Sequence, residues 1–394
     1  MGDARESLLF TRETHTMATD VPENDALSNV TNSTQTTLFT PLRLRSVALR
    51  NRIVVSPMCQ YSCEAGDGKA TDWHLVHLGG LAVGGASLVF TEATAVEERG
   101  RISTQDLGIW NDEQIASLVP ITRFIRARGA VPGMQLAHAG RKASVRRPWD
   151  GGGPLSAEAG AWEPVAPSAM SFAERYTVPH ALSPAEIGEV IAHFADATRR
   201  ALEAGFEVIE LHAAHGYLLH QFLSPVSNTR KDRYGGSFEN RIRIVVESVR
   251  ALRRVWPEQF PLFVRVSATD WLEGRSGVAS WTVEQTVALA HVLRDEGVDV
   301  IDCSSGGNIA RARIPDGPGY QTRFAERIRR EASIATMALG RITSPEQADT
   351  ILRSGQADLV ALAREELRNP HWPLHAGRIL GYEAPWPPQY ERAR

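Results

Sequence analysis

Two imidazoles and a phenol fall within six residues in the segment His212-Ala213-Ala214-His215-Gly216-Tyr217. No acidic residue lies among them to complete a metal site, so the segment reads as a cluster of hydrogen-bond donors and no metal is expected. Gly216 lets the backbone turn between the second imidazole and the phenol. Histidines at such spacings also occur for purely structural reasons, and His74-x-x-His77 and His371-x-x-x-His375 sit in helix-like stretches of the same chain. Position separates His212, His215 and Tyr217 from these. The apolar run 206–211 has the length of a buried strand and follows a helical pattern ending at Glu203-Ala204-Gly205. The cluster therefore falls just past a strand end, where α/β proteins place their chemistry.

The elements that must hold the cluster can be read around it. Strand-like runs are expected at 51–57, 87–91, 131–136, 206–211, 262–266, 298–301, 335–339 and 358–362, separated by amphipathic helical patterns. That alternation is the pattern of an α/β fold of the (β/α)8 TIM-barrel type. Residues 42–49 alternate around Ser46 like a small hairpin, an N-terminal cap on the barrel. Ser183-Pro184-Ala185-Glu186 and Ser344-Pro345-Glu346-Gln347 each place a Ser N-cap before Pro at the first helical position. Two long loops, 141–182 and 224–240, follow the third and fourth strands and would emerge at the C-terminal face, over an active site. An open doubly wound sheet would carry Gly-x-Gly-x-x-Gly after an early strand, and Gly79-Gly80 and Gly84-Gly85 do not fit it.

Composition narrows the partner. The 394 residues are 43% hydrophobic and 23% charged, an ordinary globular balance. A net charge of -3 and a pI near 6.5 lack the basic excess of a nucleic-acid or anionic-membrane binder, which leaves a small molecule. Cys59, Cys63 and Cys303 are too few for a disulfide framework, so a reducing, cytoplasmic setting is expected. No run approaches the ~18 apolar residues of a membrane helix. Residues 1–37, rich in Asn, Thr and Ser toward their end, are expected to be a disordered tail before one domain at 38–394, and their acidic residues argue against a transit peptide.

If the barrel is correct, each strand end should carry chemistry. The ends offer Ser56-Pro57-Met58-Cys59, Glu92-Ala93, Gln135 with His138, the His/Tyr cluster, Arg265, Cys303-Ser304-Ser305, Gly340-Arg341 and Ala363-Arg364. Barrels often bind phosphate between the loops after the last two strands, and here both loops add an arginine, which implies a phosphorylated ligand. The bland alternative pairs Arg341 and Arg364 with nearby carboxylates.

Ser56-Pro57-Met58-Cys59-Gln60-Tyr61, Gln135-Leu136-Ala137-His138-Ala139-Gly140-Arg141-Lys142, the 212–217 cluster, Arg230-Lys231-Asp232-Arg233-Tyr234-Gly235-Gly236-Ser237 and Gln389-Tyr390-Glu391-Arg392 resemble the old yellow enzyme family in its bacterial thermophilic-like branch. The resemblance runs from Leu38 to the C-terminus. It implies FMN bound non-covalently at the C-terminal face and reduced by NAD(P)H, with Ser56, Pro57, Met58, Cys59 and Ala93 lining the ring. Gln135 and Arg265 would bond its pyrimidine edge, and Gly340, Arg341, Ala363 and Arg364 would hold its phosphate. It further implies reduction of the C=C bond of α,β-unsaturated carbonyl or nitro compounds, with His212 and His215 on the substrate oxygen, Tyr217 as proton donor and Tyr61 as substrate contact. Arg392 would reach the neighbouring active site of a homodimer or homotetramer. Two departures are Ala363, where relatives commonly have glycine, and the length of 146–178.

Other classes make different demands. Dienoyl-CoA or amine dehydrogenase relatives would carry an iron–sulfur cysteine cluster and domains after the barrel, neither of which is expected here. A flavin-free aldolase or isomerase acting on a phosphorylated substrate would want a strand-end lysine or paired carboxylates, which are not evident at those positions. A binding protein that kept only the fold would not need the His/His/Tyr set.

Overall fold

The protein is described by a computed structural model over residues 37–273 and 277–394. The tail expected at 1–37 lies outside the described residues except for Thr37, which opens the short 3-10 turn Thr37–Phe39. A hairpin of β1 (Leu42–Leu44) and β2 (Val47–Leu49) comes first, turning through Arg45 at φ 53°. Eight strands then close a parallel barrel: β3 (Ile53–Val55), β4 (Leu88–Ala95), β5 (Val131–Ala137), β8 (Val208–Ala213), β9 (Leu262–Ser267), β10 (Val300–Ser304), β11 (Ala335–Ala338) and β12 (Leu359–Leu362). The short pair β6 (Val165–Ala166) and β7 (His180–Ala181) lies in the long loop after β5.

Around the barrel run α1 (Asp72–Val83), α2 (Ile115–Ala127), α3 (Pro184–Glu203), α4 (Leu218–Leu223), α5 (Phe238–Val255), α6 (Val283–Asp295), α7 (Thr322–Ala332), α8 (Pro345–Arg353), α9 (Arg364–Arg368) and α10 (Trp372–Ile379). The helix starts expected at Ser183 and Ser344 are present. Ser183 Oγ accepts from Glu186 N–H while the Glu186 carboxylate accepts from Ser183 N–H, and Ser344 Oγ accepts from Gln347 N–H.

Period-two alternation explains what each strand does. On β8, Ile209 and Leu211 point outward into the core beneath the helices, while Val208, Glu210 and His212 point into the barrel. On β9 the inward set is Phe263, Arg265 and Ser267, and on β10 it is Val300, Asp302 and Ser304. The barrel interior is thus apolar at its N-terminal end, where Val54, Phe90, Val208, Phe263, Val300 and Met337 pack together, and polar toward its C-terminal end. Val47 and Leu49 of the hairpin join that apolar layer, and Arg45 ties the hairpin to Asp299 at 2.7 Å, just before β10. The hairpin plugs the end opposite the loops, so a ligand must enter from the other side.

Two features differ from the sequence expectation. Strand β4 continues past Glu92 to Ala95 because its register with β5 shifts between Phe90 and Ala93, a bulge that lets the strand run on. Directly after the His/Tyr cluster comes α4, six buried residues that anchor Tyr217 at its N-cap.

Candidate active site

The cluster at the end of β8 is assembled by a backbone turn. His215 has φ 57° and Gly216 φ 71°, which reverse the chain between the strand and α4. Gly216 and Gly307, in the loop after β10, lie backbone to backbone: a Cβ on Gly216 would sit 2.3 Å from the Gly307 carbonyl oxygen, and one on Gly307 would sit 2.6 Å from His215 Cα. The three rings converge edge to face, with centroids 5.0 Å apart for His212 and His215 and 5.1 Å apart for His212 and Tyr217.

Hydrogen bonds set the imidazole orientations. His212 Nδ1 accepts from Ala214 N–H at 3.3 Å, so the ring hydrogen sits on Nε2. His215 N–H donates to Ser267 Oγ at 2.9 Å, and His215 Nε2 lies 2.7 Å from Ser304 Oγ, which also accepts from Gln321 Nε2 at 3.1 Å. Burial, reinforced by the Arg265 guanidinium, holds the pKa of both histidines well below the ordinary imidazole value, so both are neutral at pH 7. Burial, with Cys59 nearby, pushes the Tyr217 phenol up, so it keeps its proton.

Beside the cluster opens a cavity of about 510 Å³ lined by Ser56, His215, Arg265, Gly340, Arg341, Ala363 and Arg364, among others. Six of the expected cofactor-binding residues therefore share one space with a catalytic candidate. Arg341 Nε makes an ion pair with Asp316 at 2.8 Å, the bland fate anticipated for it, whereas Arg364 makes no ion pair among the described residues. Ala363 has φ -122°, outside the left-handed region that would require glycine. Ala93 and Gln135 face each other across the β4–β5 ladder, and Gln135 Nε2 donates to Glu210 Oε1 at 2.7 Å.

Ser56 is buried, and Pro57, Met58 and Cys59 follow it as partly buried residues beyond β3. Burial pushes the pKa of both Cys59 and Tyr61 up, and both pack with Tyr217 against a small apolar cluster. Tyr61, at φ 50°, is held by Glu92 Oε2, which accepts from Gln60 N–H at 2.8 Å. His74 in α1 lies 3.2 Å from Glu92, so this buried histidine braces the Tyr61 loop. Arg392 is not brought to the cavity of its own chain. It sits in the exposed 3-10 turn Pro388–Ala393, which rests on α10 through Tyr390 against His371 at 5.4 Å.

Sequence reasoning missed several neighbours. Lys142 donates from Nζ to the carbonyl oxygens of His215 at 2.8 Å and Gly307 at 3.2 Å and lies 5.1 Å above the Tyr217 ring. Burial, with Arg141 beside it, lowers its pKa to about 8. Nothing in its sequence position announces this. Glu210 and Asp302 were legible in principle, since each is an acidic residue at an inward position of an otherwise apolar strand. Among the described residues there is no cluster of side chains that could hold a metal ion and no helix long and apolar enough to cross a membrane.

A closed parallel barrel with an arginine-lined cavity at its C-terminal face and three hydrogen-bonding rings beside it defines a barrel enzyme for a phosphate-bearing ligand. Residues 37–380 match the model of the NADH:flavin oxidoreductase / NADH oxidase family. The chain is 50% identical over 359 residues to an NADPH dehydrogenase of Geobacillus sp. (strain WCH70), covering 91% of this chain and 98% of that protein. It is 48% identical over 356 residues to an NADPH dehydrogenase of Listeria innocua, covering 90% of this chain and 98% of that one. Among solved structures, morphinone reductase superposes with a TM-score of 0.72 at 27% identity, over 89% of this chain and 91% of that one. The chain therefore belongs to the NADH:flavin oxidoreductase family, as an FMN-dependent oxidoreductase of the old yellow enzyme type that draws its electrons from NAD(P)H.

The residues present fit that cofactor. Gly340, Arg341, Ala363 and Arg364 line the cavity with the cations and backbone N–H groups that a phosphate needs, and Arg364 is left without a carboxylate partner among the described residues. The amide and the cation that a flavin pyrimidine edge needs are available in Gln135 on β5 and Arg265 on β9, of which Arg265 lines the cavity.

Proposed function

We propose that this oxidoreductase is an ene reductase that reduces the C=C bond of alkenes conjugated to a carbonyl or nitro group. FMN, when bound, would supply the redox chemistry, with NAD(P)H as the source of the hydride. Gln135 and Arg265 would hold its pyrimidine edge, the segment Ser56, Pro57, Met58, Cys59 together with Ala93 would line its ring, and Gly340, Arg341, Ala363 and Arg364 would hold its phosphate. The single observation that carries the proposal is the convergence of His212, His215 and Tyr217 beside a cavity that Arg265 also lines.

His212 has its hydrogen on Nε2, which finds no hydrogen-bond partner among the described residues. On His215, the Ser304 hydroxyl can give its hydrogen to Nε2, because Gln321 already donates to that oxygen, and the ring hydrogen then lies on Nδ1. Two neutral imidazoles thus present N–H groups to the substrate oxygen, where negative charge grows as hydride arrives at the β-carbon. Preset donors of this kind stabilise such a transition state by roughly 3 kcal/mol each. Tyr217 delivers a proton to the α-carbon, and its raised pKa keeps that proton in place until it is needed. Lys142 fixes the His215 and Gly307 carbonyls and places positive charge over the phenol ring, which favours phenolate as the proton leaves. Tyr61 closes the substrate side next to Cys59.

The test is spectroscopic. Purified protein should show flavin bands that NADPH bleaches without oxygen and cyclohexenone restores. In Tyr217→Phe the bleaching rate should hold while the restoration slows about 100-fold or more, the contribution of a positioned general acid. Bands that cyclohexenone cannot restore in the unaltered protein would rule out the alkene substrate, and an unchanged restoration rate in Tyr217→Phe would remove Tyr217 as donor.

A further inference from the structure

Below the catalytic rings, four polar side chains from four adjacent strands meet inside the barrel: Gln135 on β5, Glu210 on β8, Arg265 on β9 and Asp302 on β10. Glu210 and Asp302 are fully buried at 0% exposure. Gln135 Nε2 donates to Glu210 Oε1 at 2.7 Å and Asp302 Oδ2 lies 3.0 Å from Arg265 Nε, with Glu210 and Asp302 at inward positions of the two strands that flank β9. Among the described residues no protein donor reaches Glu210 Oε2 or either Asp302 oxygen along a hydrogen-bonding direction, so these buried oxygens lack the donor such groups normally find.

Two carboxylates facing one guanidinium would leave an uncompensated charge in a site closed to water, which is expensive. One shared proton removes it. Asp302 is the acid nearer the cation, while Glu210 faces a neutral amide on one side and Asp302 on the other. We propose that Glu210 is a carboxylic acid whose O–H donates to an ionised Asp302, and that this pair is a positioning device for Arg265 and Gln135. Asp302 neutralises and orients the guanidinium. The Glu210 carbonyl oxygen fixes the Gln135 amide with its nitrogen inward, which leaves Gln135 Oε1 for a ligand. Burial raises the proton affinity of both acids, and Arg265 opposes that rise at each. The inference rests on the assignment of Arg265 and Gln135 to the FMN ring, and it goes further by naming what sets their charge and orientation.

Three variants of the full-length FMN-loaded protein test it. Glu210→Gln keeps a donor toward Asp302 and an acceptor for Gln135, so FMN affinity and midpoint potential should stay close to those of the unaltered protein. Glu210→Ala leaves both neighbours unpaired and should weaken FMN about tenfold or more, the loss expected for a buried hydrogen bond left unmade. Asp302→Asn leaves Glu210 as the one acid facing Arg265, so Glu210 should give up its proton and its protonated-carboxyl infrared band should disappear. On the apoprotein, the protonated-carboxyl band in the infrared difference spectrum between the unaltered protein and Glu210→Gln should identify the acid directly. A Glu210→Gln protein that fails to fold or loses FMN like Glu210→Ala overturns the proposal, as does a difference spectrum without the protonated-carboxyl band, or a band that persists in Asp302→Asn. If Arg265→Met keeps both affinity and potential, the assignment of Arg265 to the ring fails instead, and the infrared result still decides the protonation of Glu210.

Discussion

At the scale of residues, the two imidazoles proposed to hold the substrate oxygen are uncharged at neutral pH. Burial and the Arg265 cation depress the pKa of His212 and His215 below the ordinary imidazole value of about 6.5. In the unfolded chain both would take up protons as the pH falls through about 6.5, whereas the folded protein resists, so acidification favours unfolding. Their contribution is fully present above that pH and is lost progressively as the pH falls toward the depressed folded values. Asp302, whose pKa is raised by burial, works in the opposite direction, and only a comparison with a variant isolates the histidines. The apoprotein of His212→Gln with His215→Gln should therefore lose less stability between pH 7.5 and 5.5 in urea titrations. Each histidine removed can take away up to about 1.4 kcal/mol per pH unit of slope. An identical slope in both proteins would mean that these rings are protonated when folded.

At the scale of elements, the site is a contact between loops. The turn after β8 and the turn after β10 touch through Gly216 and Gly307 with no side chain between them, and Lys142 pins both through their carbonyl oxygens. Gly307 has φ 92°, so alanine there meets both a forbidden backbone conformation and the His215 backbone. Gly307→Ala should destabilise the protein by about 2 kcal/mol or more and displace His215. Thermal denaturation would read the first effect and the binding of a phenol ligand the second, with affinity expected to fall while FMN content stays constant. Unchanged phenol affinity would show that the two turns are not rigidly joined. The helix starts were legible beforehand because Ser-Pro-x-Glu and Ser-Pro-Glu-Gln carry a local mechanism, a side-chain cap beside a preset φ. The six-residue α4 was not, because it is held by tertiary burial rather than by any cap of its own.

At the scale of the whole molecule, Arg392 stands apart. Its turn is exposed and rests on the N-cap of α10 through Tyr390 against His371, while Arg394 beyond it pairs with Glu383 in the segment after that helix. An exposed arginine outside its own cavity supports the reading that it serves the active site of a second copy in a homodimer or homotetramer. Removal of residues from Tyr390 onward should then raise KM for the enone roughly tenfold, the worth of one hydrogen bond to a charged group, with FMN content unchanged. Kinetics equal to those of the intact chain would refute a shared site, and sedimentation at matched concentration would show whether association itself was lost.

Much of this protein was decided by its sequence alone. The eight barrel strands, the capping hairpin and the strand-end position of His212, His215 and Tyr217 follow from local pattern, because burial on a strand imposes a period of two and helix starts carry their own caps. The same pattern placed Gln135 and Arg265 on strands, and the structure turned both toward the barrel interior. Only the tertiary structure decided which side chains complete the site. Lys142 reaches His215 from a loop more than seventy positions earlier, Glu210 meets Asp302 across β9, and Arg341 turns to Asp316 while Arg364 stays unpaired among the described residues. Such pairings depend on barrel closure and strand register, which bring together residues remote in the chain. Charge state is decided there too, since a proton shared by two acids exists only where both are sealed from water.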